Sequence, residues 1–519
     1  MTKKAFPRWA VGLFFAAFLL LGLLTAADYG APWDEQDEMD ILRMNLWEYS
    51  RALGLDESAF KSRADAGSEL TISTLTPISE SIEQDHGIAA FYPMAGVVMS
   101  ESLNEAQRSA IWHMWCWCVF TLGAYALYGA CRQLGMGRGA ALAAPLMLLL
   151  SPQFFAHGHF NNKDIALMSL AVCVLWQALR LMKKPTFATG LLFSFFGALA
   201  ANTKVAGSAL WGLCALFVLT AQIVNRRMKG RVWAVAGVTL VSFFGFYALL
   251  TPALWANPTA FIEYLVTNAL SFQRWQNLIL FRGAVFNLRT DSLPIYYLPY
   301  MMLATTPVWV MVLIAIGTMK AVICKPRLDV WLVLLRWALP LGFAVITRTT
   351  VYNGWRHFYF IYGPMLVLAA WAISRMPKKK WVAAVLAVCM LGGTVDLAVN
   401  HPYQQTYYQP IVRLQGEDYN ELDYWNVSAR EALETLAANT EGKLSIAPAD
   451  LWTEDALQKA ILLLDEETAG RFAVTEEAQY VLVNPTYQNF SGYETTGEPV
   501  VDLKAYGQSI MQIYERIGE

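Results

Sequence analysis

The chain has 519 residues, of which 56% are hydrophobic and 15% are charged, and its formal net charge is −2. Soluble domains carry about 25% charged residues, so this composition excludes an ordinary soluble protein. The nearly neutral charge gives no electrostatic basis for binding nucleic acid. Apolar stretches of about 20 residues follow one another along most of the chain, which is the pattern of a helical membrane protein with several spans.

The first apolar run extends from Trp9 to Ala27 and follows Lys3, Lys4 and Arg8. Thr25-Ala26-Ala27 resembles a signal-peptide cleavage site. The run is nevertheless long enough to span a bilayer and further spans follow, which favours an uncleaved anchor. Basic residues before such an anchor place the N-terminus in the cytoplasm.

The polar region that follows, residues 28–109, contains 16 acidic and 5 basic residues. This imbalance is typical of a loop on the outer side of the membrane. Leu42, Leu46, Tyr49 and Leu53 recur at helical spacing, which predicts an amphipathic helix lying along the membrane surface.

Ten further spans are predicted after this loop. Every second turn between them carries Lys and Arg, as in Lys183-Lys184 and Lys378-Lys379-Lys380, and such turns stay in the cytoplasm. The alternation predicts eleven spans in all, with the N-terminus inside and the C-terminus outside. The ten spans are 110–130, 140–157, 165–182, 186–202, 205–224, 232–251, 295–319, 329–347, 358–374 and 381–398.

The remaining tail, residues 400–519, is polar enough to fold outside the membrane. Its pattern of two helical and two extended segments predicts a small α/β domain. The expected fold is therefore an α-helical polytopic membrane domain, residues 1–399, followed by a soluble extracytoplasmic domain. The helical segments are Ser428–Ala437 and Glu454–Leu464, and the extended segments are Lys443–Ile446 and Ala478–Val483.

Carboxylates, cations, histidines and aromatic residues collect in the predicted outer turns. Lys and Arg are usually enriched in the cytoplasmic loops of membrane proteins, so cations in the outer turns are unusual. A cation close to a bilayer is also costly unless it is paired. An anionic ligand at that depth would provide the partner, and phosphate suits Arg and Lys well. The cations concerned are Lys163, Lys204, Arg274, Arg282, Arg348 and Arg356.

Each of these residues also has a purely structural interpretation. Asp34 could cap the helix that begins after it. Asp164 could cap a span or pair locally with Lys163. The outer arginines could neutralise the acidic first loop. The convergence of all these groups at one membrane face favours a functional site.

Four stretches carry a resemblance to a known family: Trp33-Asp34-Glu35, Gly158–Asp164, Thr305-Thr306-Pro307 and Tyr352–Phe360. In their order and sidedness they resemble the GT-C superfamily of membrane glycosyltransferases, which use polyprenyl-phosphate sugars as donors. The nearest branches are the protein O-mannosyltransferases and the lipid A aminoarabinose transferase. The chain lacks the Trp-Trp-Asp signature of oligosaccharyltransferase catalytic subunits, and its central loop has no clear set of protein O-mannosyltransferase His/Arg motifs.

The resemblance implies a GT-C fold and transfer of a sugar, with inversion, from a polyprenyl-phosphate donor to an acceptor hydroxyl at the outer face. Asp34 is the expected base, Glu35 its support and Asp164 a second carboxylate. Residues expected to bind the donor phosphate are Lys163, Lys204, Arg274, Arg282, Arg356 and His357. Residues expected in the acceptor and sugar pocket are His159, Asn162, Trp355 and Tyr352.

The expected partners are the donor, a lipid, glycan or protein acceptor, and the bilayer of a bacterial plasma membrane. The sequence requires no cofactor, and a divalent metal held by His and Glu side chains is left open. A transporter or flippase of lipid-linked sugars is the main alternative, and it would need ionisable residues near span centres. A scaffold protein that binds lipid without catalysis is a further alternative.

Overall fold

The computed structural model describes residues 6–66, 75–227, 229–270, 278–324, 327–377, 379–491 and 497–516. Within these ranges, eight helices are long and apolar enough to cross a membrane, and a bent helix pair brings the number to nine. Helices of this length and hydropathy match the thickness of a bilayer. The chain is an integral membrane protein.

All eleven predicted spans are helical, but two are each divided by a break that contains a proline. The third predicted span bends by 74° between its two helices, where Ser151 is extended before Pro152. The eighth is divided in the same way, with Thr306 extended before Pro307. Proline has no N–H and disfavours helical geometry in the residue before it, so each of these two predicted spans is divided at this point.

The first half of the chain contains the acidic loop and most of the apolar helices. The helix predicted from the spacing of Leu42 to Leu53 is present, and the left-handed Gly54 (φ 64°) ends it. Short 3-10 turns at Ala26–Asp28, Ile78–Glu80 and Ala89–Met94 link the elements of the loop. The helices are α1 (Arg8–Thr25), α2 (Glu35–Leu53), α3 (Ser58–Ala66), α4 (Ala95–Val98), α5 (Glu105–Gln133), α6 (Arg138–Ala141), α7 (Ala143–Leu149), α8 (Pro152–Phe160), α9 (Asp164–Lys183), α10 (Phe187–Thr203), α11 (Ala206–Val224) and α12 (Gly230–Leu250).

The second half of the membrane region contains a hairpin that the sequence did not predict. Its two strands pair antiparallel around a turn at Arg282 and Gly283. The 3-10 turn Arg356–Ile361 precedes the last but one apolar helix. The elements are α13 (Ala253–Ala256), α14 (Pro258–Leu270), β1 (Leu278–Phe281), β2 (Ala284–Asn287), α15 (Tyr297–Thr305), α16 (Val308–Ile323), α17 (Leu328–Thr347), α18 (Tyr362–Ser374) and α19 (Lys380–Val399).

Helix α9 lies at the centre of the bundle. It packs against α5, α10, α11 and the turn Arg356–Ile361, and 89% of its most apolar window is buried, compared with 6% for α19. Other helices therefore shield α9 from lipid. Its first residue, Asp164, is buried in the interior of the protein.

The C-terminal part contains a five-stranded sheet in the order β4-β3-β5-β7-β6. The two predicted helices and two predicted strands are confirmed, whereas three further strands were not predicted. The sheet is parallel from β4 to β5 and antiparallel beyond it. The division of the chain into two domains at residue 400 stays a prediction. The elements are α20 (Pro410–Arg413), α21 (Ala429–Asn439), β3 (Leu444–Pro448), α22 (Leu451–Leu462), α23 (Glu466–Ala469), β4 (Phe472–Val474), β5 (Tyr480–Val483), α24 (Pro485–Ser491), β6 (Val501–Ala505) and β7 (Gln508–Glu515).

The segment 401–430 returns to the start of the first loop and packs on it. Tyr29 donates from its hydroxyl to Gln404 Oε1 at 2.8 Å, and the Trp33 N–H donates to the Trp425 carbonyl at 3.3 Å. Between these contacts the backbones approach so closely that a Cβ on Gly30 would lie 2.1 Å from the Val427 carbonyl oxygen. The stretch before α2 is thus clamped between the membrane helices and the C-terminal part.

We predict that Gly30→Ala destabilises the protein, because neither backbone can move away without breaking the contacts on both sides. Overpacking of this kind costs about 1–3 kcal/mol. The midpoint of thermal unfolding in detergent should fall, whereas Gly96→Ala, where a Cβ meets no atom within 4 Å, should leave it unchanged. Equal midpoints for the two variants would contradict this prediction.

Cysteine labelling tests the expected orientation of the helices. Leu55 follows α2 and is 58% exposed, and the exposed Cys324 ends α16 at the opposite end of the membrane helices. In intact cells that express single-cysteine variants of the protein, an impermeant maleimide should modify Leu55→Cys directly. It should modify Cys324 only after the cells are permeabilised. The reverse pattern would place the first loop in the cytoplasm.

Candidate functional site

Two cations from separate segments converge on the carboxylate at the start of α9. Asp164 is 2% exposed; its Oδ1 lies 2.5 Å from Lys204 Nζ and its Oδ2 lies 3.7 Å from Arg356 Nη1. Asn161 completes the turn, because its Oδ1 accepts from the Asp164 N–H at 3.0 Å. Burial lowers the pKa of Lys204 and the Asp164 carboxylate opposes that shift. A buried carboxylate needs such partners to offset its desolvation.

A second ion pair lies beside the first and links the acidic loop to α9. Glu38, in the first turns of α2, accepts from Lys163 Nζ at 2.5 Å and from the Asn162 amide at 3.1 Å. Lys163 Nζ also lies 3.3 Å from His86 Nδ1. Burial acts to lower the pKa of Lys163, but the carboxylates of Glu38, Glu83 and Asp34 together outweigh it and the pKa is raised. We call the following residues the charged cluster: Asp34, Glu38, Lys163, Asp164, Lys204 and Arg356.

Asp34 occupies the N-cap position of α2, yet its side chain makes no capping hydrogen bond to the described backbone. The capping interpretation of this residue was therefore wrong. Burial and the nearby Glu38 carboxylate raise the pKa of Asp34 to about 6. The positive charges of Arg356, Lys163 and Lys459 oppose that rise. The result is a carboxylate that is mostly ionised at pH 7 but more basic than an exposed aspartate.

Arg356 lies in an aromatic cage inside the charged cluster. Its guanidinium carbon is 4.9 Å from the Trp425 ring centroid, 5.2 Å from Tyr352 and 5.9 Å from Tyr424. Its Nη2 donates to Asn353 Oδ1 at 3.4 Å. The buried Nε has no hydrogen-bond partner among the described residues. The cage holds the cation while one of its donors is left for another acceptor.

His357 lies next to Arg356 and contributes a second buried nitrogen. Its Nδ1 is 3.4 Å from Lys204 Nζ, and its ring is 4.4 Å from that of Tyr352. Its Nε2 has no partner in the part of the chain that the structure describes. Unsatisfied buried polar atoms are costly, so these two mark the place in the charged cluster where a polar ligand would gain hydrogen bonds.

The backbone before Arg356 turns sharply, and this turn presents the guanidinium to the charged cluster. Asn353 (φ 50°) and Gly354 (φ 77°) are left-handed, and the Gly354 N–H donates to the Tyr297 hydroxyl at 3.1 Å. Trp355 is 1% exposed, and its Nε1 donates to Thr305 Oγ1 at 2.8 Å. Trp355 thus anchors the turn in the helical core.

Glu35, expected beside Asp34, points to a different partner. Its Oε2 lies 2.6 Å from His113 Nε2, and His113 Nδ1 lies 3.2 Å from the Ala26 carbonyl. Both Glu35 and His113 are buried. This pairing ties the start of α2 to α5 and fixes the backbone that carries Asp34.

His159 lies in the aromatic packing below the first loop. Its ring stacks between those of Tyr29 and Trp117, each at 4.3 Å. Its nitrogens lie 3.1 Å from Thr25 Oγ1 and 3.0 Å from the Phe155 carbonyl. Every contact described for this ring is with packing residues rather than with the charged cluster.

Arg282, expected from the central loop, is not brought to the cluster by any contact among the described residues. Arg282 is exposed in the β1–β2 turn; its Nε donates to the Tyr419 hydroxyl at 2.8 Å, and its guanidinium lies 5.5 Å from the Tyr300 ring. Arg274 lies outside the described residues.

The structure adds residues that sequence reasoning missed. Glu38 lies one helical turn after Asp34, and residues at this spacing are neighbours on one face of a helix. The sequence could therefore have indicated Glu38 as a member of the site. Tyr424 and Trp425 come from a distant segment, and only the fold brings them to Arg356. Glu421 is buried beside them, which raises its pKa to about 8, and accepts from the Asn353 amide at 3.4 Å.

No metal ligand set emerges near these residues. Among the described residues, no group of three or more His, Cys, Asp or Glu side chains is placed to hold a metal ion. The carboxylates of the charged cluster are instead paired with Lys and Arg.

Comparison with known proteins supports the fold. No protein-family model and no curated protein sequence matches the chain. ArnT from Cupriavidus metallidurans in the apo state aligns over 98% of both chains with 14% identity and a TM-score of 0.50. Its undecaprenyl phosphate complex gives 0.48 at 14% identity and the same coverage. The Archaeoglobus fulgidus oligosaccharyltransferase gives 0.46 at 11% identity, over 93% of this chain and 71% of that one.

The first of these likenesses covers nearly the whole chain, including the helices that form the charged cluster and the C-terminal sheet. At 14% identity it establishes the fold alone, and the two lower scores add nothing to it. The chain therefore has the fold of ArnT, and the resemblance to the GT-C membrane glycosyltransferases is confirmed at the level of the fold.

Proposed function

We propose that the protein transfers a sugar from a polyprenyl-phosphate-linked donor to an acceptor hydroxyl at the outer membrane face, with inversion. The observation that carries this proposal is the charged cluster, where a carboxylate of raised pKa lies near buried cations, one of which, Arg356, has an unsatisfied donor. Inverting transfer needs these two elements, a base for the acceptor and positive charge for the departing phosphate.

Asp34 is the proposed base. It accepts the proton of the acceptor hydroxyl as the acceptor oxygen attacks the anomeric carbon. The bond from that carbon to the phosphate oxygen breaks, and the electron pair leaves with the phosphate. A carboxylate with a pKa of about 6 is ionised at pH 7 and basic enough to take this proton in the transition state.

Arg356 is the proposed principal ligand of the donor phosphate, with Lys163, Lys204 and His357 beside it. A planar guanidinium with a free donor suits a phosphate oxygen. Arg282 and Arg274 stay proposals for this role without a described contact to the charged cluster. ArnT, which has the same fold, has been crystallised with undecaprenyl phosphate, a ligand of the proposed class.

Asp164 is better suited to positioning than to proton transfer. Its two oxygens face Lys204 and Arg356, and cations at that distance make a carboxylate a weaker base. We propose that it holds both cations in place for the phosphate. Asn162 and Tyr352, which border the charged cluster, are the proposed sugar contacts, and the buried Trp355 and His159 would support them.

Replacement of the base tests the reaction. Asp34→Asn should lower transfer by about 10²–10⁴-fold, the usual contribution of a positioned base. The assay measures release of polyprenyl phosphate from a panel of synthetic polyprenyl-phosphate pentoses and hexoses, with membrane extract as the acceptor source. Asp28→Asn, which removes a carboxylate paired with His401 at 2.8 Å, is the matched control. Wild-type rates in a folded Asp34→Asn protein would overturn the assignment of Asp34 as the base, whereas a wild-type protein that releases no polyprenyl phosphate would favour the transporter alternative.

Transfer should also depend on pH through the same carboxylate. Because the pKa of Asp34 is raised to about 6, activity should reach half its plateau near pH 6 and fall about tenfold per unit below that. The donor is a phosphodiester and stays ionised throughout, so this limb reports the protein. A rate that is constant from pH 5 to 8 would contradict the assignment.

Binding of the lipid phosphate tests the other side of the site. Arg356→Ala should weaken equilibrium binding of undecaprenyl phosphate by about 10–100-fold, the worth of a charge-assisted hydrogen bond. Arg375→Ala is the matched control, because Arg375 also lies against a tryptophan, 4.0 Å from the Trp371 ring centroid, at the other end of the helices. Equal affinity for the two variants would refute the assignment.

A further inference from the structure

A lysine of the C-terminal part reaches into the first loop directly beside the proposed base. Lys459, on α22, is only 7% exposed. Its Nζ donates to the carbonyl oxygen of Trp33, which belongs to the peptide bond that joins Trp33 to Asp34. The two residues that make this contact are 426 positions apart in the chain.

A buried ammonium needs negative charge nearby, because its desolvation is otherwise uncompensated. No ion pair described in the structure includes Lys459. The carboxylates that its charge acts on are Asp34 and Asp40, and Asp40 is already paired with Arg43. Lys459 and Asp34 are thus complementary charges across the boundary between the C-terminal part and the first loop.

The helix that carries Lys459 is itself fixed to the arginine side of the site. Asp450 caps α22 by accepting from the N–H groups of Trp452 and Thr453, both at 2.9 Å. Asn426 donates to the Trp452 carbonyl at 2.9 Å, next to the Trp425 that covers Arg356. The C-terminal part therefore contacts both the peptide bond that precedes the proposed base and the proposed phosphate ligand.

We propose that Lys459 is a positioning residue for the reaction: it holds the backbone of Asp34 in place and keeps its carboxylate ionised. The proposal rests on the proposed function, in which Asp34 is the base. It assigns the C-terminal part a role inside the catalytic site in addition to any role in acceptor binding.

The expected direction follows from the charges that face Asp34. Glu38 raises the pKa of Asp34, while Arg356, Lys163 and Lys459 lower it. Tyr352 also lies within the field of Asp34 and is neutral at ordinary pH, since burial raises its pKa. Removing the charge of Lys459 leaves the acidic neighbour less opposed, so the base should be protonated up to a higher pH.

The test compares pH profiles of polyprenyl phosphate release by the purified full-length protein. In Lys459→Met the acid limb should move upward by at least about 0.5 unit, so that the rate at pH 6 relative to pH 8 falls at least about twofold. Lys459→Gln keeps a donor for the Trp33 carbonyl and should show the same shift. Lys459→Arg keeps the charge and should restore the wild-type limb.

Lys443→Met is the matched control. Lys443 also donates to a backbone carbonyl of the same part, that of Gly470 at 2.5 Å, and the contact involves no residue of the charged cluster. This variant should keep the wild-type profile. A thermal unfolding midpoint measured for each variant separates loss of folding from loss of positioning, and the Lys459→Gln profile stands if Lys459→Met does not fold.

The outcomes separate this proposal from the proposed function. If Asp34→Asn is inactive and the limb of Lys459→Gln coincides with that of the wild type, Lys459 has no positioning role and the function stands. If Asp34→Asn transfers sugar at the wild-type rate, Asp34 is not the base and the proposal for Lys459 fails with it, whereas a wild-type protein that releases no polyprenyl phosphate from any donor would overturn the proposed function. A shifted limb in both Lys459→Met and Lys443→Met would reduce the effect to general destabilisation and overturn the proposal.

Discussion

The ion pairs at the N-terminal end of α9 are the constraint on which the arrangement of the site depends. Asp164 binds Lys204, 40 residues further along the chain, and faces Arg356 in a third segment. A carboxylate that is 2% exposed cannot remain charged without such partners. The ends of α9 and α10 and the turn before α18 must therefore meet, and any ligand of these cations has to bind at their junction.

Two aspartates of the charged cluster differ because their surroundings differ. Asp164 faces two cations at close range and has no freedom to act as a strong base. Asp34 has no described ion pair, lies near the acidic Glu38 and has a pKa raised to about 6. Carboxylates whose environments separate their proton affinities are the usual arrangement of acid–base sites. The same chemical group is thereby suited to proton transfer at one position and to holding cations at the other.

The C-terminal part of the chain covers one side of the charged cluster. Trp425 and Tyr424 cover Arg356, and the close approach of Gly30 to Val427 leaves no room between the first loop and this segment. The cage desolvates the guanidinium, and a desolvated cation attracts an anion more strongly than one in water. The membrane helices alone would leave the charged cluster open on this side.

The membrane helices could be read from the sequence, because a run of about 20 apolar residues has one stable solution in a bilayer. Proline breaks such as those at Pro152 and Pro307 were also visible, although hydropathy averages over them. Asp34, Lys163, Asp164, Lys204 and Arg356 were singled out as chemically unusual at one end of the helices. Of the three strands that were not predicted, β4 has only three residues and carries a weak local signal, whereas β6 and β7 were missed despite their length.

The sequence by itself thus determined the class of fold, the polar residues worth attention and the kind of ligand that their charges suit. Only the tertiary structure decided which partners these residues have. It paired Glu35 with His113 and buried His159 between Tyr29 and Trp117, and it brought Trp425 and Lys459 to the first loop. Hydropathy and charge are local properties of the chain, whereas the partner of a buried charge is set by which distant segments share the same enclosed space.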